Sequence, residues 1–135
     1  MTTVQRVAQI FGVLFTVGAL AGFYASGMSM EADHTMAPKA LGLFPVNLLH
    51  NVVHLVFGIW GLAAARSFTG AKQYAQITGV IYTVLIAVGF FVPDGFGLIP
   101  LGGNDIWLHV ILGLPLLYFG FMSKPDPVAP IGTAM

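Results

Sequence analysis

Three histidines and an aspartate stand on stretches of sequence that are otherwise apolar, and their spacing gathers them onto shared helical faces. Asn47, His50, Asn51 and His54 fall at i, i+3, i+4 and i+7, one face of a helix, which Gly58 and Gly61 continue with small residues. Asp105 and His109 also share a face, and Gly113 follows His109 by one turn. For a helix starting near Val46, His54 lies ~12 Å along it, well inside an apolar segment.

That residue set is suited to several chemistries. Histidine is a common axial ligand of haem iron, so His50, His54 and His109 are candidate ligands for a tetrapyrrole, either haem b or a chlorophyll. A glycine one turn after His54 and after His109 would leave room for such a ring. The same three histidines with Asp105 match zinc or a non-haem metal in ligand type. An aspartate beside imidazoles that titrate near neutrality would also relay protons. A plainer reading stands beside these: Asn47, Asn51 and the histidines form a structural polar stripe whose interhelical hydrogen bonds fix register, at about 0.6 kcal/mol each. In the outer loop, Met28, Met30, His34 and Met36 are soft-ligand types suited to Cu(I), but three methionines in such a loop are more often an apolar lid, and copper is not the reading taken. No phosphate loop, no nucleophile with a base and no paired carboxylates are visible, so the chain reads as non-enzymatic.

The elements that must position these side chains follow from composition. Of 135 residues, 57% are hydrophobic and only 7% charged, against about 25% charged in soluble domains. Mean hydropathy is +0.88. So few charges cannot build a wetted surface, and lipid must replace water around most of the chain. The net charge of zero removes the electrostatic case for nucleic acid. The lack of cysteine excludes disulfides, thiolate metal sites and c-type haem attachment.

Four apolar runs, residues 7–25, 46–65, 74–92 and 106–122, approach the ~20 residues that a helix needs to cross a bilayer. None alternates like a barrel strand, and helices satisfy their own backbone hydrogen bonds in lipid. The first run is too long for a signal-peptide core of roughly 7–15 residues and is read as a span. The predicted fold is an all-α membrane protein, one domain of four transmembrane helices. Its loop from Gly27 to Leu43 is expected to be irregular or interfacial. Its tail from Ser123 carries Pro125, Pro127 and Pro130 and is expected to be extended.

Arg6, Arg66, Lys72 and Lys124 lie on one side of the spans and only Lys39 on the other, which predicts cytoplasmic termini. Aromatics sit where interfacial anchors belong: Phe23, Tyr24, Phe90, Phe91 and Trp107 outside, and Tyr118, Phe119 and Phe121 inside. Small pairs, Gly18 with Gly22 and Gly79 with Thr83, predict close helix approach within the bundle. Pro115 frees the Ile111 carbonyl and predicts a kink in the fourth span.

The halves also resemble each other. Ala8-Gln9-Ile10, Gly12-Val13, Thr16-Val17 and Gly22-Phe23 recur 67 positions later as Ala75-Gln76-Ile77, Gly79-Val80, Thr83-Val84 and Gly89-Phe90. Pro45, His54 and Gly58 recur 55 positions later as Pro100, His109 and Gly113, and His50 aligns with Asp105. The reading is two tandem helical hairpins of the same orientation about an axis along the membrane normal. This differs from the inverted repeats of many transporters and disfavours a transport role. Stripes facing that axis would bring His50, His54, His109 and Asp105 together.

The run from Pro45 through His50-Asn51 and His54 to Gly58, with Gly103-Asn104-Asp105-Ile106-Trp107-Leu108-His109 and Gly113, resembles a bacterial family of four-span membrane proteins classified as a domain of unknown function. The resemblance runs from about Arg6 to Phe121. It implies a four-helix membrane fold and supplies no activity. The expectation is a multi-pass protein of a bacterial inner or intracytoplasmic membrane. It would act as an accessory or scaffold subunit against membrane-protein partners or further copies of itself. The alternative is histidine-mediated tetrapyrrole or metal binding in a respiratory or photosynthetic assembly.

Overall fold

A computed structural model describes residues 1–127, so Pro130 lies outside the described residues. The described residues form four α-helices, α1 (Thr3–Ser26), α2 (Leu48–Ala64), α3 (Phe68–Phe91) and α4 (Asn104–Met122), with a short 3-10 turn at Gly95–Gly97. By length and composition α1, α3 and α4 are apolar and long enough to cross a membrane, and α2 is a shorter apolar helix. At 1.5 Å per residue, α1 and α3 extend about 36 Å and α2 about 25 Å.

Local chemistry sets the helix ends, and it moves them from where hydropathy alone puts them. Gln5 accepts from the Thr2 amide at 2.9 Å and from its hydroxyl at 3.0 Å, which starts α1 ahead of the apolar run. Ser67 accepts from the Gly70 amide at 3.1 Å, so α3 begins at Phe68 and not near Tyr74. Polar first turns are helical but invisible to a hydropathy reading. Conversely α2 starts later than Val46, because Asn47 is its N-cap and accepts from the His50 amide at 2.9 Å. Asn47 therefore lies ahead of the helical stripe instead of on it. Pro115 sits inside α4, which runs unbroken to Met122. Beyond α4, Ser123 is extended.

The loop from Gly27 is more ordered than expected. It contains a two-stranded antiparallel ladder, β1 (Lys39–Ala40) and β2 (Phe44–Pro45), turned through Leu41 at φ 55° and Gly42 at φ 71°. Lys39 Nζ donates to the carbonyls of His34, Thr35 and Ala37 at 3.2–3.3 Å. Asn104 Nδ2 donates to the Leu43 carbonyl at 3.0 Å, tying this loop to the start of α4.

α1 packs on α2 and α3 on α4, and the sequence repeat is also a repeat of contacts. A Cβ on Gly12 would stand 2.7 Å from the Leu62 nitrogen, and one on Gly79 would stand 2.7 Å from the Leu117 nitrogen. Gly22 faces Asn51 as Gly89 faces Ile106, and Gly58 faces Thr16 as Gly113 faces Tyr82 and Thr83. Thr16 donates to the Gly12 carbonyl at 2.8 Å and Thr83 to that of Gly79 at 2.9 Å. Between the hairpins lies a core of Phe11, Phe15, Tyr74, Tyr82 and Leu116. Polarity runs opposite to a soluble bundle. Asn51, Thr78, Asp105 and His109 are buried, while Ile10, Val17, Val84 and Ile111 are exposed.

Candidate functional site

His50 occupies the first turn of α2 and His54 the next, with ring centroids 4.4 Å apart at 80°. His109 reaches them from α4, its ring 6.4 Å from that of His50. One ring nitrogen from each histidine lies within 4.8 Å of the others. Asp105, one turn before His109, places Oδ2 3.4 Å from His109 Nε2 and 4.0 Å from His50 Nε2. Exposure is 2% for His50, 1% for His109 and 0% for Asp105. His54 is less enclosed because it borders a cavity. The four side chains expected to meet do meet, reaching across from α2 and α4.

Two aromatic residues that the sequence reading did not single out complete the centre. Phe15 stacks on His54 at 5.6 Å and Tyr82 meets His109 edge-on at 4.8 Å. These are equivalent positions of the repeat, and their own rings touch at 5.4 Å. The repeat offset was the signal that would have found them, since it pairs Phe15 with Tyr82 as it pairs His54 with His109.

Hydrogen bonding is conspicuously incomplete. His109 Nδ1 and both Asp105 oxygens are buried without a partner, and His50 Nδ1 makes no well-formed hydrogen bond, although the Pro100 carbonyl lies beside that ring. Buried polar atoms are paired in the great majority of proteins, so a cluster of orphans calls for an explanation. A proton on Nε2 of His50 or His109 would face the Asp105 carboxylate, leaving the Nδ1 lone pairs free. Asn51 is engaged through its Nδ2, which donates to Ser26 Oγ at 2.8 Å, while its Oδ1 is buried without a partner. Asn47 Nδ2 donates to the Leu98 carbonyl at 2.9 Å. Both asparagines act on loops and helix pairing.

The glycines beside the histidines do not open space for a macrocycle. Gly58 is met by the Thr16 backbone and hydroxyl, and Gly113 by Tyr82 Cβ at 3.1 Å from an added Cβ. Nor do the rings leave a gap between them, given centroids at 4.4 and 6.4 Å. Glycine allowed a helix to come close, and the helix took the room. A small ion suits this spacing better. Zinc–nitrogen bonds of ~2.0–2.1 Å put ligand nitrogens about 3.3 Å apart, so rotation of the imidazoles by an ångström or so would close the set.

Other expected pairs differ. Gly22 packs tightly, on Asn51, but an added Cβ on Gly18 meets nothing within 4 Å. Gly18 instead lines the cavity, of about 350 Å³, bounded by α1, α4 and the β1–β2 turn, with His50, His54 and Asp105 as its polar residues. In the outer loop Met28, Met30 and Met36 are exposed, and His34 lies against Gly102. Tyr24, Phe90, Phe91 and Tyr118 point outward, while Phe119 packs on the core.

Neither the curated proteins nor the solved structures contain a match to this chain. A family model described as Domain of unknown function (DUF4383) matches residues 5–122, nearly the whole described fold, and the chain belongs to that family.

Proposed function

We propose that this protein crosses a bacterial inner or intracytoplasmic membrane with all four helices, as two tandem hairpins with cytoplasmic termini, and that its centre binds one divalent transition metal ion, zinc by preference. The outward apolar faces of α1, α3 and α4 support insertion, and α2, at 17 residues, meets the lower end of the ~17–25 residues a span requires. The observation that carries the metal is the convergence of His50, His54 and His109 within 4.8 Å, with two of their Nδ1 atoms buried and making no well-formed hydrogen bond. Imidazole is a favoured ligand for zinc. Asp105 stands where a carboxylate orients ligating histidines and offsets the charge of the ion. The ion would join α2 of one hairpin to α4 of the other, a binding role and not a catalytic one.

The test is elemental analysis of protein purified in mild detergent, supplied with zinc and dialysed. About one ion per chain is expected, with loss in His54→Ala and His109→Ala. A wild-type protein that holds no more zinc than the double variant would refute the metal reading.

A second reading is an accessory subunit packed against a larger membrane complex. It is favoured by large side chains such as Phe90, Phe91, Tyr118 and Phe121 that stand exposed at both ends of the α3–α4 hairpin. It predicts stoichiometric co-purification with a larger assembly; a stable lone monomer counts against it.

A further inference from the structure

The internal repeat supplies its own control for the cavity between α1 and α4. On the α1 wall, Leu14, Phe15 and Val17 have counterparts of similar bulk on α3 in Ile81, Tyr82 and Val84. The other two wall positions differ. Gly18 and Ala21 stand where α3 has Leu85 and Val88, both half-buried. The second hairpin therefore carries bulkier side chains at the positions where the first leaves its cavity wall small. The open space, about 350 Å³, is more than twice the ~150 Å³ cavity that accommodates benzene, and falls in the ~300–1,000 Å³ range of ligand pockets.

Its lining is apolar apart from one cluster of polar residues. Leu14, Val17 and Leu41 at the rim are exposed, and in the bilayer reading they face acyl chains. Phe15 and Phe44 also line it, and His50, His54 and Asp105 are its polar residues. Asp105 lines this cavity, and both its oxygens are buried without a hydrogen-bond partner, Oδ2 lying 3.4 and 4.0 Å from the histidine nitrogens. A mostly apolar cavity whose lining includes an unpartnered carboxylate suits a guest with a hydrocarbon tail and a ring-sized head that donates a hydroxyl.

We infer that this cavity binds a membrane-soluble quinol or phenol from the lipid phase, its ring between Phe15 and Phe44, its hydroxyl donating to Asp105 and its tail leaving past Leu14 and Leu41. The inference rests on the bilayer reading and does not require the metal. The experiment titrates full-length protein in lipid nanodiscs with a decyl-substituted para-benzoquinol, read by quenching of tryptophan fluorescence, since Trp107 packs 5.3 Å from Phe44. Saturable quenching is expected. The matching dimethyl ether, which has no hydroxyl to donate, should bind about tenfold more weakly or worse. The Gly18→Leu/Ala21→Val variant copies the bulkier second hairpin and should lose the saturable phase while holding as much zinc as wild type. Equal affinity for the ether, or undiminished binding by the filled variant, would overturn the proposal. The ether comparison uses wild-type protein and stands even if the variant misfolds. Resistance to alkaline carbonate extraction reports on the bilayer separately, so a chain that stays in the membrane but ignores the quinol refutes the cavity alone.

Discussion

Replacing Gly79 by alanine puts a methyl group 2.7 Å from the Leu117 nitrogen and 3.1 Å from the Leu116 carbonyl carbon. Both are backbone atoms of α4, so relief requires the helices to separate, not a side chain to turn aside. Alanine also removes the conformational freedom of glycine, which by itself favours a helix by about 0.5–1 kcal/mol. Overpacking of this kind costs about 1–3 kcal/mol, so the net effect is destabilisation by about 1–2 kcal/mol. Gly12→Ala should do the same, since it meets the Leu62 nitrogen at the same distance. Gly18→Ala meets nothing within 4 Å, keeps only the helix-favouring part and should be neutral or stabilising by up to about 1 kcal/mol. The assay is reversible unfolding in mixed micelles with increasing denaturing detergent, followed by circular dichroism, with the three variants compared in one series. If Gly18→Ala proved as damaging as Gly79→Ala, steric approach of the helices would not be what these glycines provide. The account of hairpin packing would then fail.

Zinc at a hundredfold excess over its dissociation constant should stabilise the native protein by about 2.7 kcal/mol. That is a rise in melting temperature on the order of 10 °C, and a scan in which His54→Ala/His109→Ala responds equally refutes the site. Asn47→Ala removes both the cap on the His50 amide and the bond to Leu98. A loss of about 1–2 kcal/mol is expected in the same unfolding assay, and an unchanged midpoint would show that the cap is not needed. Outside the spans, Asp33 is held below the usual carboxylate range by the Thr35 hydroxyl and amide, which donate to its Oδ1 at 2.7 and 2.8 Å. Thr35→Ala keeps the amide and removes the stronger donor, so the Asp33 carboxyl resonance should titrate at higher pH by NMR; no displacement would refute that assignment.

The helices were legible because hydropathy is a local property, read from a few neighbouring residues, whereas their ends, set by the caps at Asn47 and Ser67, were not. The central histidines were legible for a related reason: polar groups on apolar helices have few destinations, and the two offsets of 67 and 55 specify which faces meet. Features that depend on the partner surface were harder to read. Gly58 and Gly113 signal close approach in the sequence, but not whether a ring or a neighbouring helix arrives there; Thr16 and Tyr82 arrive. Gly18 looks like Gly22 in sequence yet borders empty space. The β1–β2 turn places Leu41 in the left-handed region at φ 55°, where a leucine gives no sequence signal.

Departures from the repeat explain more of the site than the repeat does. Two related hairpins about an axis bring each residue towards its own counterpart, so identical residues would face one another there. Four imidazoles would leave a cation without an anion close by, and two opposed carboxylates would repel in a medium where charge is weakly screened. His50 and Asp105 occupy equivalent positions, and their difference puts a single carboxylate 3.4 and 4.0 Å from two histidine nitrogens. Gly18 and Ala21 against Leu85 and Val88 break the symmetry a second time, by volume instead of charge. Both differences fall on the same flank of the axis, where Asp105 and Gly18 line one cavity. Packing alone would be served as well by filling both halves alike. A carboxylate left without partners and a wall kept small at Gly18 and Ala21 are a coherent pair when the space between them is meant for a guest.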